Sequence, residues 1–129
     1  MIIVLAGSMA FADKMEEIRQ ILETNGAEVT YPHDGSDLTP EAVRRYNDEA
    51  RARIEQADSL LVVNERKHDI EGYVGANTLV EIGMAYALHT PIYVLNPYDT
   101  IQSNATELAG LIDGVVGEDV ERWLKEVMK

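Results

Sequence analysis

Residues 58–64 read DSLLVVN, a nearly uninterrupted apolar run. A strand covered on both faces has this pattern, whereas a strand with one wet face alternates apolar and polar residues. The run is therefore predicted to be a central strand of a parallel sheet. Outward from it, further strand-like apolar runs lie at residues 2–6, 27–32, 91–97 and 114–116.

The segments between these runs are predicted to be helices from their apolar period, composition and length. Thr39-Pro40 is typical of a helix start, because a hydroxyl N-cap precedes a proline in the first helical position. Strands that alternate with helices form a parallel sheet with helices on both faces. The predicted fold class is therefore α/β, a doubly wound, flavodoxin-like five-stranded parallel sheet. The predicted helices span residues 11–25, 40–57, 77–88, 104–112 and 118–128.

The composition narrows the classes of function. The 129 residues suit one domain, predicted to span residues 1–129. The absence of cysteine excludes disulfides, thiolate metal sites and cysteine nucleophiles. A formal net charge of −12 opposes binding to nucleic acid polymers and to anionic membranes. Because no apolar run approaches the ~20 residues that span a bilayer, and no signal peptide is recognised, a cytoplasmic location is expected.

Ligands of such sheets bind beyond the carboxyl ends of the strands. Gly7 and Ser8 follow the first strand, His33 follows the second, and Asn64 ends the third. Glu81 is predicted to face the same crevice from the first turn of the next helix. The sequence contains no Walker motif, no dinucleotide fingerprint and no metal-ligand spacing, so neither a metal nor an organic cofactor is expected.

Glu81 has two interpretations. The spacing from Thr78 to Glu81 matches a capping box, in which the glutamate bonds back to the start of its own helix. The alternative is catalytic, because an ionised carboxylate in a crevice can attack an anomeric carbon and hold a glycosyl intermediate. The two interpretations compete, since a glutamate folded onto its own N-cap cannot reach a sugar.

Three stretches resemble the nucleoside 2-deoxyribosyltransferase superfamily, which includes the 2′-deoxynucleoside 5′-monophosphate N-glycosidases. They are IIVLAGS at residues 2–8, ADSLLVVN at 57–64 and NTLVEIGMAYALHTPIYVLN at 77–96. The resemblance covers most of the chain. It implies that Glu81 is the nucleophile and that the N-glycosidic bond of a (deoxy)nucleoside or its 5′-monophosphate is cleaved or transferred. The implied partner is thus a small molecule.

The chain departs from the family pattern at four positions. Val4 stands where family enzymes carry a tyrosine that helps hold the nucleophile, and Ala10 where the nucleotide-cleaving branch carries a phosphate-binding arginine. Ala50 and Gly75 stand at the positions of family aspartates. The alternative to an enzyme is therefore a non-catalytic nucleotide-binding or sensing module on the same scaffold.

Neighbouring side chains are candidates for the missing groups. Asp48 and Glu49, beside Ala50, are the candidate acids that would protonate the leaving base, with a solvated helix face as the alternative. Arg66, Lys67 and His68 are candidates for the phosphate contact if their loop folds over the site, with solvated loop charges as the alternative. The base, the sugar and the need for a phosphate stay open. The residues predicted to bind substrate are Gly7, Ser8, Met9, Tyr46, Asn64, Tyr73, Gly75, Asn77 and Thr78.

The helix at residues 77–88 is apolar on almost every side. One face must meet the sheet, and the remaining apolar surface needs other cover. Gly83 and Ala87, four residues apart, permit close packing of a second helix. A homodimer or higher homo-oligomer is therefore expected.

Overall fold

The structure is a computed structural model of the chain and describes residues 1–31, 37–99 and 102–129. Within these residues, five strands form one parallel sheet in the order β2-β1-β3-β4-β5. This order confirms the predicted doubly wound, flavodoxin-like α/β class. The strands are β1 Ile2–Ala6, β2 Glu28–Thr30, β3 Ser59–Val62, β4 Ile92–Val94 and β5 Gly114–Val115.

The helices of the described residues begin and end within two residues of their predicted bounds. A short 3-10 helix, Met9–Phe11, precedes the first of them. The second helix starts as predicted, with Thr39 Oγ1 accepting a hydrogen bond from the Ala42 N–H and Pro40 as the first helical residue. The helices are α1 Ala12–Thr24, α2 Pro40–Gln56, α3 Ala76–Ala87, α4 Ala105–Leu111 and α5 Val120–Val127.

Strand β3 is buried along its whole length, as its apolar run predicts. Leu61 belongs to a core cluster that also holds side chains of α1 and α5, whereas Leu60 belongs to a cluster with side chains of α2, α3 and α4. Helices therefore cover both faces of the sheet. Burial of these apolar side chains, at about 25 cal/mol per Å², is the main favourable contribution to the folded state.

The loop that follows β1 passes directly against the end of β3. Gly7 has a φ of 155°, and a Cβ atom there would lie 2.6 Å from the carbonyl oxygen of Val63. Glycine is therefore required at this position, both for its backbone angle and for the space. The close approach brings Ser8 and Met9 to the carboxyl end of β3, where a ligand is expected.

None of the helices in the three described ranges has the length and apolar character needed to cross a bilayer. Residues 32–36, which include the predicted end of the second strand and His33, lie outside the described residues.

Candidate active site

A cleft of about 350 Å³ opens at the carboxyl ends of β1 and β3. Its walls come from the loop after β1, from α2, from the loop between β3 and α3, and from the first turns of α3. The size is that of a small-molecule site. Of the twelve residues predicted from the sequence, ten line the cleft: Gly7, Ser8, Met9, Tyr46, Glu49, Tyr73, Gly75, Asn77, Thr78 and Glu81.

Two predicted site residues lie elsewhere. Asn64 is fully buried, where its Oδ1 accepts a hydrogen bond from the Asn96 N–H at 2.9 Å and its Nδ2 donates to the Asn96 carbonyl oxygen at 2.8 Å. It joins the ends of β3 and β4 instead of lining the cleft. Asp48 is exposed on α2 and is also absent from the cleft wall.

The predicted capping box is wrong. Helix α3 begins at Ala76 with Gly75 as its N-cap, and no side chain caps it. Thr78 is consequently the third helical residue and is buried, and Glu81 lies in the second turn instead of the first. The Tyr73 side chain packs against Gly75, where a Cβ would lie 3.1 Å from the Tyr73 hydroxyl oxygen. Glu81 is thus available to the cleft.

Glu81 is partly buried between α2 and α3. Burial raises the pKa of its carboxyl from 4.5 to about 7, and the positive charge of Arg53 opposes that rise. Within the described ranges, the carboxylate has no hydrogen-bond or ion-pair partner. A carboxyl with a pKa near 7 is present as both acid and carboxylate at neutral pH, which is the range that catalytic carboxyls use.

The loop between β3 and α3 folds over the mouth of the cleft. Residues 67–70 form a tight turn whose two central residues have φ angles of 53° and 59°. Lys67 Nζ donates a hydrogen bond to Ser8 Oγ at 2.9 Å and lies 5.5 Å from the centroid of the Tyr73 ring. The loop thereby brings a positive charge to the segment after β1. Arg66, by contrast, is exposed and pairs with carboxylates of its own loop.

Seven residues of the cleft wall were outside the catalytic and substrate-binding residues predicted from the sequence, although Lys67 was a candidate for a phosphate contact. Four of them lie on α2 at spacings of three or four residues, as does Tyr46, so they share one helical face. This periodicity could have identified the four residues from the sequence, because Tyr46 was predicted to line the site and they lie on the same face of α2. The seven are Leu38, Val43, Asn47, Ala50, Arg53, Lys67 and Ala76.

The chemistry available in the cleft is that of carboxylates, hydroxyls, amides, one ammonium and one guanidinium. Glu81 from α3 and Glu49 from α2 supply two carboxyl groups on different helices, a combination that suits nucleophilic and acid–base steps. Among the described residues, no group of three or more His, Asp or Glu side chains is placed to hold a metal ion.

The sequence profile of the nucleoside 2-deoxyribosyltransferase family matches residues 3–124. Comparison with curated protein sequences yields no significant match.

Solved structures share the fold at low sequence identity. A 2-deoxyribosyltransferase from Bacillus psychrosaccharolyticus superposes with a TM-score of 0.71 at 18% identity, over 94% of this chain and 90% of that one. A CMP N-glycosidase from Clostridium botulinum gives 0.59 at 16% identity, over 99% and 98%. A 2-desoxiribosyltransferase from Leishmania mexicana gives 0.54 at 16% identity, over 73% and 63%. These similarities establish the fold.

We expect Glu81→Gln to stabilise the protein at alkaline pH. The carboxyl ionises near pH 4.5 when unfolded and near pH 7 when folded, so the native state loses stability as the pH rises through this window. The neutral amide of Glu81→Gln carries no such penalty. The free energy of unfolding of Glu81→Gln, relative to that of the wild type, should therefore be higher at pH 8.5 than at pH 5 by about 2 kcal/mol.

Urea denaturation at the two pH values measures this difference. Glu55→Gln, an exposed glutamate of α2, is the matched control and should change the unfolding free energy by less than about 0.5 kcal/mol at either pH. An equal effect of Glu81→Gln at both pH values would contradict the burial of an ionisable carboxyl.

Proposed function

Because the chain belongs to the nucleoside 2-deoxyribosyltransferase family, we propose that it cleaves or transfers the N-glycosidic bond of a (deoxy)nucleoside or nucleoside 5′-monophosphate. The nucleophile in this proposal is Glu81. The observation that carries it is the position of the Glu81 carboxyl, which lines the cleft, lacks an internal partner in the described residues and faces a space of small-molecule size. Buried polar side chains with only a structural role are usually hydrogen-bonded or paired.

In the first step, a Glu81 carboxylate oxygen forms a bond to C1′ of the sugar as the C1′–N bond breaks. The electron pair of the broken bond goes to the base nitrogen, and Glu49 supplies the proton that neutralises the leaving base. Water then attacks C1′, the ester bond breaks, and its electron pair restores the Glu81 carboxylate. The proton of that water returns to Glu49. A second base in place of water gives transfer instead of hydrolysis.

The remaining cleft residues have proposed roles in binding. Ser8 and Lys67 place a hydroxyl and an ammonium together, and both groups bind phosphate oxygens well. Lys67 therefore supplies a charge that Ala10 does not, from a different loop, and a 5′-monophosphate should be preferred over its nucleoside. The proposed contacts to sugar and base come from Gly7, Met9, Tyr46, Tyr73, Gly75, Asn77 and Thr78.

To test the proposal, the protein is incubated with a panel of nucleosides and their 5′-monophosphates. Chromatography then measures the free base that is released. We expect Glu81→Ala and Glu81→Gln to lower kcat/KM by at least about 1,000-fold while the circular dichroism spectrum is unchanged. In the wild type, kcat/KM should lose the contribution of the ionised nucleophile as the pH falls below about 7, because the Glu81 carboxyl must be a carboxylate to attack C1′.

Activity that survives in both Glu81 variants would refute the assignment of the nucleophile. If wild-type protein releases no base from any member of the panel but is stabilised against heat by one of them, the binding-module alternative is favoured over the enzyme.

The acid can be assigned by comparing two adjacent carboxylates of α2. Glu49→Gln should reduce kcat by about 100-fold or more, because Glu49 lines the cleft and would protonate the base. Asp48→Asn should leave kcat within about twofold, since Asp48 lies outside the cleft. A substrate whose base is a good leaving group should partly restore kcat of Glu49→Gln, because such a base needs less help from an acid. The reverse ranking of the two variants would make Asp48 the acid.

We also propose that the chain forms a homodimer through the outer face of α3. Val80 and Tyr86 are 48% and 60% exposed there, and Gly83 between them leaves open space for a neighbouring helix. Light scattering after size-exclusion chromatography should give twice the chain mass, and Val80→Glu should give a monomer. Met128→Glu, an exposed methionine of similar character elsewhere, is the control and should stay dimeric. A wild-type monomer would exclude the dimer.

A further inference from the structure

We propose that Arg53 is the positioning residue of Glu81, with its guanidinium held at the wall of the cleft to keep the Glu81 side chain a carboxylate directed at the substrate. The proposal rests on the proposed nucleophilic role of Glu81. Arg53 takes no part in the bond-making and bond-breaking steps proposed for Glu81 and Glu49.

The packing of two helices brings the two side chains together. Arg53 lies in the last turn of α2, and Glu81 lies in the second turn of α3. These helices pack against each other, and both side chains line the same cleft. Arg53 continues the helical face that runs through Tyr46 and Ala50, so its presence in the cleft follows from the same periodicity.

Arg53 lacks a partner of its own. Its Nε atom is buried and has no hydrogen-bond acceptor among the described residues, and the guanidinium takes part in no ion pair there. A buried charged donor without an acceptor is costly, so such a group is retained where a neighbouring charge or a ligand makes use of it. Glu81 is the partly buried carboxylate of the same cleft that likewise lacks a partner within the described residues.

The other groups around Glu81 do not replace Arg53. Lys67 is hydrogen-bonded to Ser8 and lies over the Tyr73 ring at the mouth of the cleft. Glu49 carries no positive charge in either protonation state, and its ionised form would oppose ionisation of a second carboxyl. Val4, beneath α3 in the same core cluster as Ile82, is apolar.

Among the described groups, Arg53 is thus the charge that lowers the pKa of the Glu81 carboxyl. Its electrostatic effect reaches the carboxylate without a direct ion pair, because burial of the Glu81 carboxyl reduces its shielding by water.

The experiment uses three single variants of the full chain. Arg53→Met keeps a long apolar stem and removes the charge, whereas Arg53→Lys keeps the charge. Arg51→Met removes an exposed arginine from the same helix outside the cleft and is the matched control. The first readout is the pH titration of the Glu81 carboxyl carbon in protein labelled with ¹³C-glutamate, assigned by its loss in Glu81→Gln.

In Arg53→Met, the titration midpoint should lie about one pH unit above that of the wild type, because the stabilising charge is gone. Arg53→Lys and Arg51→Met should titrate like the wild type. The second readout is the pH dependence of kcat/KM. In Arg53→Met its acid limb should shift to higher pH by the same amount as the titration midpoint. Arg53→Met should then lose about tenfold in kcat/KM at pH 6 and little at pH 9.

The two readouts separate the failure of this inference from the failure of the proposed function. An unchanged midpoint in Arg53→Met overturns the inference, as does a loss of activity that is equal at all pH values. If the wild type turns over no substrate, the proposed function fails, yet the carboxyl titration still decides the role of Arg53. If Arg53→Met does not fold, Arg53→Gln is titrated in its place under the same criteria.

Discussion

The contact between the loop after β1 and the end of β3 governs the arrangement of the whole site. The backbone at Gly7 runs so close to the Val63 carbonyl that no side chain fits between them. The approach is fixed by ladder hydrogen bonds of two buried strands, including the one from the Val63 N–H to the Ala6 carbonyl oxygen at 2.7 Å. Because these strands lie at the centre of the sheet, their ends form a rigid base onto which the more exposed loops are placed.

A second constraint is the partial burial of the Glu81 carboxyl in the cleft above these strand ends. The cleft holds a carboxyl group in surroundings that disfavour its charge, and the protein bears that cost in the folded state. Burial of the carboxyl reduces its shielding by water, so in the proposed arrangement one guanidinium from α2 acts on the carboxyl without touching it. In the proposed reaction, the same desolvation would make the carboxylate a better nucleophile than one in water, because water does not shield it. Stability and chemistry are therefore opposed at Glu81.

The sequence predicted those features that local patterns determine. The apolar run of β3 predicted a buried central strand, and Thr39-Pro40 predicted the start of α2. Features that depend on distant contacts were wrong or missed. The capping box at Thr78 failed because α3 starts earlier, at a glycine over which the Tyr73 ring packs. The periodicity of α2 groups Arg53 with Tyr46 on one face, but the nearness of Arg53 to Glu81 depends on the packing of α2 against α3.

Asn64 shows the same limit at the end of a strand. Its position after β3 correctly indicates the ligand-binding edge of the sheet, but the direction of its side chain depends on a partner 32 residues away. The hydrogen bonds to Asn96 turn the amide toward β4 and away from the cleft. Topology therefore predicts which loops surround a site, whereas the side chains that enter it are selected by pairings that no short stretch of sequence contains.

Charge is also distributed unevenly around the cleft. Residues 40–56 and 63–75, which supply α2 and the loop over the cleft, carry six Lys and Arg and seven Asp and Glu, a net charge of −1. The remainder of the chain accounts for −11 of the total of −12. A small anion thus meets nearly neutral walls at the cleft, while the acidic remainder of the surface disfavours its binding elsewhere. The global charge that excludes nucleic acid polymers is therefore compatible with a phosphorylated small molecule at this one edge of the sheet.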